Sequence, residues 1–122
     1  MSDQKTILII EDEPALREAV KLKFEKEGFV ALVASDGKEG IDLALAKHPD
    51  LVLADIVMPG LDGLALSKAL RQDAWGAKVP IIILTNLSDS QQVEQALALG
   101  IHDFLVKSDT SLEKLVSKVK EK

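Results

Sequence analysis

The sequence predicts a doubly wound α/β domain, in which five parallel strands, taken in the common order 2-1-3-4-5, alternate with five helices. Three observations predict it. Short apolar runs rich in Ile, Leu and Val, bounded by turn residues, read as buried strands. Between them lie longer segments with apolar residues at helical spacing. The two kinds alternate strictly, five times over, so every crossover is a helix. Right-handed crossovers then place helices on both faces of a parallel sheet.

The elements follow in order. The first strand, Thr6–Ile10, leads to a helix over Pro14–Glu27 with Leu16, Val20 and Phe24 on one face. Pro14 suits its first turn and Gly28 its stop. After a second strand, Phe29–Val33, Asp36 and Glu39 have capping-box spacing for a helix over Gly37–Lys47, with Pro49 beyond its end. The third strand, Leu51–Ala54, precedes a helix over Asp62–Gln72 presenting Leu66, Ala69 and Leu70. The fourth, Pro80–Leu84, precedes one over Asp89–Leu99, with Ser88 as cap, Val93, Ala96 and Leu97 inward and Gly100 as stop. The fifth, Asp103–Val106, leads to a last helix that starts near Thr110. There Thr110 and Glu113 match a capping box, and Leu112, Leu115, Val116 and Val119 face inward. Asp73–Val79 is expected to be the most flexible loop, with Trp75 as a surface packing residue.

Composition bounds the function. At 122 residues the chain fits one domain, and 47% apolar residues suffice for a core. No cysteine is present, which excludes disulfides, thiolate metal sites and thiol catalysis and fits a reducing cytoplasm. No apolar run approaches the roughly 20 residues that span a bilayer. A net charge of −5 argues against sequence-independent nucleic-acid binding, which needs a Lys/Arg surplus. The expectation is a cytoplasmic, one-domain protein over residues 1–122, without an output domain, acting on neither membrane nor nucleic acid directly.

Open parallel sheets gather functional groups at the carboxyl ends of their strands, where the strand order reverses. The first strand is followed by Glu11-Asp12-Glu13, the third by Asp55, the fourth by Thr85 and the fifth by Lys107. Taken singly, each is a common turn, cap or solvated residue. Together they place three carboxylates side by side, a hydroxyl and an ammonium approaching from the next strands. Clustered carboxylates repel unless a cation joins them. An all-oxygen, low-count donor set suits Mg²⁺ with several waters retained. A metal clamp, a nucleophilic carboxylate and two anion contacts are what phosphoryl transfer onto an aspartate requires. Neither His48 nor His102 joins this set, and no Gly-rich phosphate loop is present.

The segments Ile7-Leu8-Ile9-Ile10-Glu11-Asp12-Glu13-Pro14, Leu53 through Gly63 with its Asp55-Ile56-Val57-Met58-Pro59-Gly60-Leu61-Asp62-Gly63, Ile83-Leu84-Thr85 and Asp103-Phe104-Leu105-Val106-Lys107 resemble the receiver domain of two-component response regulators. The match is collinear over essentially the whole chain. The resemblance implies a flavodoxin-like fold and a role for each position. Asp55 accepts phosphate from the phosphohistidine of a sensor histidine kinase or phosphotransfer protein. Asp12 and Asp55 bind Mg²⁺ directly, Glu11 acts through a coordinated water, and the Val57 carbonyl completes the protein ligands. Lys107 contacts the phosphoryl oxygens. Thr85 moves toward the phosphate and Phe104 turns inward behind it, remodelling the face of helix four, strand five and helix five for a partner. Such a chain is a binding module that catalyses only its own phosphorylation and dephosphorylation, as a monomer or a phosphorylation-dependent dimer.

Four positions depart from the family's commonest pattern. Ser108 follows Lys107 where proline is usual; a cis bond there costs about 2.5–4 kcal/mol without proline, so a trans bond is expected. Asn86 replaces a small residue and narrows access. Val57 and Leu87 border the phosphoryl group with apolar side chains, which position a hydrolytic water poorly. Slow phosphate loss is expected, and decay within seconds, followed by intact mass, would contradict it. Rival families fit less well. A haloacid-dehalogenase-type phosphatase needs a second aspartate where Val57 stands, and a flavodoxin needs a Ser/Thr-rich phosphate cradle where Glu11-Asp12-Glu13 would repel one. A pseudo-receiver lacks a key position, and none is missing here.

Overall fold

Strands form where branched apolar residues can be buried on both sides, and three of the five strands meet that condition almost completely. In the computed structural model, which describes residues 4–55, 63–85, 90–101, 103–106 and 111–121, β1 (Thr6–Ile10), β2 (Val30–Ala34), β3 (Leu51–Asp55), β4 (Ile81–Thr85) and β5 (Asp103–Val106) make one parallel sheet in the order β2-β1-β3-β4-β5. Every residue of β3 and β4 is buried, as is all of β1 after Thr6. Such central strands read as continuous apolar runs because helices cover both faces.

The helices α1 (Pro14–Lys26), α2 (Gly37–Lys47), α3 (Gly63–Arg71), α4 (Ser90–Ala98) and α5 (Leu112–Lys120) divide between those faces. Side chains alternate along each strand, and the core divides with them. Ile7, Ile9, Leu53 and Ile82 meet Val20 and Phe24 of α1 and Leu115, Val116 and Val119 of α5. Leu8, Ile10, Val52, Ala54, Ile81 and Ile83 meet Ala44 of α2, Leu66 and Leu70 of α3 and Ala96 of α4.

The predicted fold class and strand order are those observed, with local differences in boundaries. β2 and β4 each lie one residue later than expected, and β3 runs on to include Asp55. At α2 the Asp36 side chain accepts the Glu39 N–H (2.8 Å), as the capping box requires, while the Glu39 carboxylate takes the Ser35 N–H (2.7 Å). Helices α1 and α4 end at glycines with left-handed backbone, Gly28 (φ 93°) and Gly100 (φ 82°), where a side chain would be strained.

Two helix expectations are corrected. The N-cap of α5 is Ser111, not Thr110: its hydroxyl accepts the Lys114 N–H at 3.1 Å. Glu113 instead pairs with Lys23 of α1 at 3.0 Å. On α4, Leu97 stays 43% exposed, because Leu99 and Ile101 turn in beneath the helix and take the core space beside Ala96.

Lys23 joins Glu113 to Glu27, and Lys120 returns from α5 to Glu27 at 2.9 Å, strapping α1 to α5. The hydrogen bond from Lys120 holds the Glu27 carboxyl below its ordinary value, and that from Lys23 does the same for Glu113. The Glu113 bond in turn raises Lys23. The carboxylate contribution is present above the ordinary carboxylate range and lost as pH falls through the lowered values. The Lys23 contribution is lost only as pH rises through its raised value. Exposed pairs of this kind add little at neutral pH.

The segment expected to be the loosest, Asp73–Val79, is a run of turns with organised partners. Arg71 Nη1 donates to the carbonyls of Gly76 (2.6 Å) and Val79 (2.8 Å), and Asp73 accepts the Trp75 N–H (2.9 Å). Burial pushes the Arg71 guanidinium pKa down. Trp75 does pack at the surface, stacked on the exposed ring of His48 with centroids 4.7 Å apart. Arg71→Gln leaves two carbonyls short of a donor and should cost about 1–3 kcal/mol in urea unfolding. A change below roughly 0.5 kcal/mol, the usual surface value, would show that solvent replaces the guanidinium.

Candidate functional site

Parallel strands point all their carboxyl ends at one edge of the sheet, and the register decides which end residues become neighbours. Ile10 of β1 lies beside Ala54 of β3, so Glu11 and Asp55 come next on adjoining strands. Asp55 in turn pairs with Leu84, which brings Thr85 to the end of the following strand, beside Val106. Glu11, Asp12 and Asp55 each offer one carboxylate oxygen, all within 4.8 Å of one another. Glu11, Asp55 and Thr85 are buried, at 3%, 4% and 4% exposure, while Asp12 opens to solvent.

Burying carboxylates is costly unless hydrogen bonds or counter-charge accompany them. The loop from β1 to α1 supplies some. The Glu11 carboxylate accepts the Glu13 N–H at 3.1 Å, and the Glu11 N–H donates to Ala34 O at 3.1 Å. Glu13 is the N-cap of α1 and makes no side-chain cap bond, with Pro14 following at the first turn. The positive end of the α1 dipole therefore starts at the acids. Glu11 does part of a turn residue's work, whereas Asp55 is the last residue of β3.

Among the described residues this is the group of acids that can hold a metal ion. Its donors are all carboxylate oxygens, one face is open through Asp12, and no nitrogen or sulfur ligand takes part. That chemistry fits a hard divalent cation retaining several waters. A cavity of about 300 Å³ opens instead at the strand amino ends, with Thr6, Phe29, Leu51 and Val119 in its lining, at the opposite end of the strands from the acids.

The structure thus brings together Glu11, Asp12 and Asp55, with Thr85 at the same edge. Phe104 stands on β5 opposite Ile83, half-buried against the core beneath α2, α3 and α4. Lys107 and Val57, together with Asn86, Leu87 and Ser108, lie outside the described residues. His48 ends α2 with a left-handed backbone (φ 48°), away from the acidic loop. Sequence reasoning missed Arg17, whose Nη1 donates to the Glu11 carbonyl at 2.9 Å. A cation one turn into the helix that follows an acidic strand end was the available signal.

Comparison with known proteins agrees with this layout. The model of the response regulator receiver domain matches residues 7–120. The transcriptional regulatory protein CseB of Streptomyces coelicolor is 36% identical over 88% of this chain and 44% of its own length. The transcriptional activator protein PfeR of Pseudomonas aeruginosa is 38% identical over 83% of this chain and 32% of its own. The chain therefore spans less than half the length of either regulator. Among solved structures, the signal receiver domain of a signal transduction histidine kinase from Syntrophus aciditrophicus superposes with a TM-score of 0.86 at 34% identity, covering 96% of this chain and 88% of that one. With its sheet order, its strand-end acids and these relatives, the chain belongs to the receiver domains of two-component response regulators, a family of signalling modules.

Proposed function

We propose that Asp55 is the phosphoacceptor of this receiver and that its phosphorylation depends on Mg²⁺. The observation that carries the reading is the meeting of Glu11, Asp12 and Asp55 at one strand edge, within 4.8 Å, with Thr85 on the next strand. Asp12 and Asp55 would hold the cation, with Glu11 behind them and the Val57 carbonyl as a further ligand. When bound, the ion neutralises the carboxylates and the developing charge on the phosphoryl oxygens. An Asp55 oxygen attacks phosphorus, the new P–O bond forms as the P–N bond of a phosphohistidine breaks, and the histidine nitrogen leaves with the electron pair. Lys107 and Thr85 hold the phosphoryl oxygens.

A new dianion at this buried edge biases a two-state element. Thr85 and Phe104 link the phosphate to the face of α4, β5 and α5, where a partner reads it. The donor is a sensor histidine kinase or a phosphotransfer protein in the cytoplasm. That relatives are transcriptional regulators, and a structural neighbour part of a histidine kinase, supports an input module whose output is supplied by another domain or protein. Among the described residues no helix is long and apolar enough to cross a membrane.

The test is incubation with acetyl phosphate, with and without Mg²⁺, read by intact mass. One phosphoryl group per chain, formed only with the metal, is expected. No adduct with Mg²⁺ present would overturn the reading.

A further inference from the structure

We infer that Arg17 is a positioning residue for the acidic site, holding the main chain that carries Glu11 and Asp12 in the arrangement a divalent cation needs. The inference rests on the reading of Glu11, Asp12 and Asp55 as a Mg²⁺ site.

Glu11 is tied through its N–H, its carbonyl and one of its two carboxylate oxygens. Its N–H donates to the last carbonyl of β2 at Ala34, and its carboxylate takes the Glu13 N–H at the entry to α1. Its carbonyl is held by Arg17 Nη1 at 2.9 Å, six residues ahead and one turn into α1. The Arg17 backbone is itself fixed, its N–H donating to Glu13 O at 2.9 Å. The peptide plane between residues 11 and 12 is rigid, so fixing the Glu11 carbonyl also fixes the amide of Asp12. Asp12 is the exposed member of the acidic set and the one whose placement the sheet does not settle.

Two effects of Arg17 oppose each other. A guanidinium bonded to the Glu11 carbonyl adds positive charge beside the acidic loop, which competes with a cation and so lowers affinity. Its hydrogen bond to the carbonyl, strengthened by the charge, preorganises the loop and so raises affinity. Arg17 is partly exposed, and water and salt screen its long-range charge far more than its direct bond. Positioning is therefore the larger effect, and removing Arg17 weakens metal binding.

The experiment measures Mn²⁺ by electron paramagnetic resonance and Mg²⁺ by competition, in the parent, Arg17→Met and Arg17→Lys. Melting in a chelator separates folding from binding. Arg17→Met should weaken Mg²⁺ binding roughly tenfold, the lower range for loss of an outer partner of a metal site. Arg17→Lys, which keeps the charge but not the fork, should fall between. Lys23→Met, which removes another α1 cation but one paired with Glu113, should leave metal affinity unchanged. If Arg17→Met fails to fold, Arg17→Gln carries the same comparison. Unchanged or tighter binding in the folded variant overturns the inference alone. A parent that binds no Mn²⁺ overturns the site reading, and the inference with it.

Discussion

Asp55→Asn should lose all labelling by acetyl phosphate and, in a chelator, melt at a higher temperature than the parent. The first effect follows from chemistry: an amide oxygen cannot accept the phosphoryl group as a carboxylate does. The second follows from crowding. Three carboxylate oxygens lie within 4.8 Å of one another, two of the acids being buried. At an effective dielectric of 20, a like-charged pair at such a distance repels by about 3–4 kcal/mol. Water at Asp12 and the hydrogen bonds at Glu11 offset much of that. A residual gain on the order of 1 kcal/mol remains, which raises the melting temperature by about 3–6 °C in a domain of this size.

Asp12→Asn should show the same stabilisation, together with a smaller rise in melting temperature on adding Mg²⁺. Labelling that persists in Asp55→Asn would place the acceptor elsewhere. Unchanged or lowered melting would mean that local hydrogen bonds already satisfy the acids.

How legible this site was depends on how far each residue's neighbours are fixed by the strand pattern. Glu11, Asp55 and Thr85 could be read because each directly ends or follows a continuous apolar run, and a parallel sheet aligns such ends. The strand order that makes Glu11 and Asp55 adjacent is the common one for such an alternation and is not read from any residue. Arg17 could not be read in that way. Its contact is a side chain reaching a carbonyl across a loop turn, and nothing in helical periodicity distinguishes it from Lys21 or Lys23.

The misplaced cap of α5 has a similar cause. Thr110 and Glu113 have the right spacing, but Glu113 is drawn to Lys23, a residue 90 positions earlier. Leu97 was misjudged because it and Ala96 both fit the periodic pattern, while the tail beyond the helix decides which is covered. Local pattern fixes the element; competition from distant partners sets its ends and its exact face.

Phe24 and Phe104 should respond very differently to truncation. Phe24 is fully buried between α1, α5 and the sheet, and meets the ring of Phe29 edge-on with centroids 5.3 Å apart. Phe24→Ala removes that burial, the edge-to-face contact and the filling of a close-packed layer. The cost should be about 3–5 kcal/mol, as for other large-to-small changes in a core. Against a typical total of about 5–15 kcal/mol this is a third or more of the stability.

Phe104 is half-buried on the opposite face of the sheet, so Phe104→Ala should cost markedly less. Urea unfolding of the two variants in a chelator measures the difference. The Phe24 variant that remains folded should still show the parent's melting shift with Mg²⁺, because its layer shares no residue with the acidic edge. A comparable loss in both variants would mean that Phe104 is held as firmly as the core. Anchoring of that strength would oppose the inward turn proposed for Phe104 on phosphorylation, and the signal would have to travel by another route.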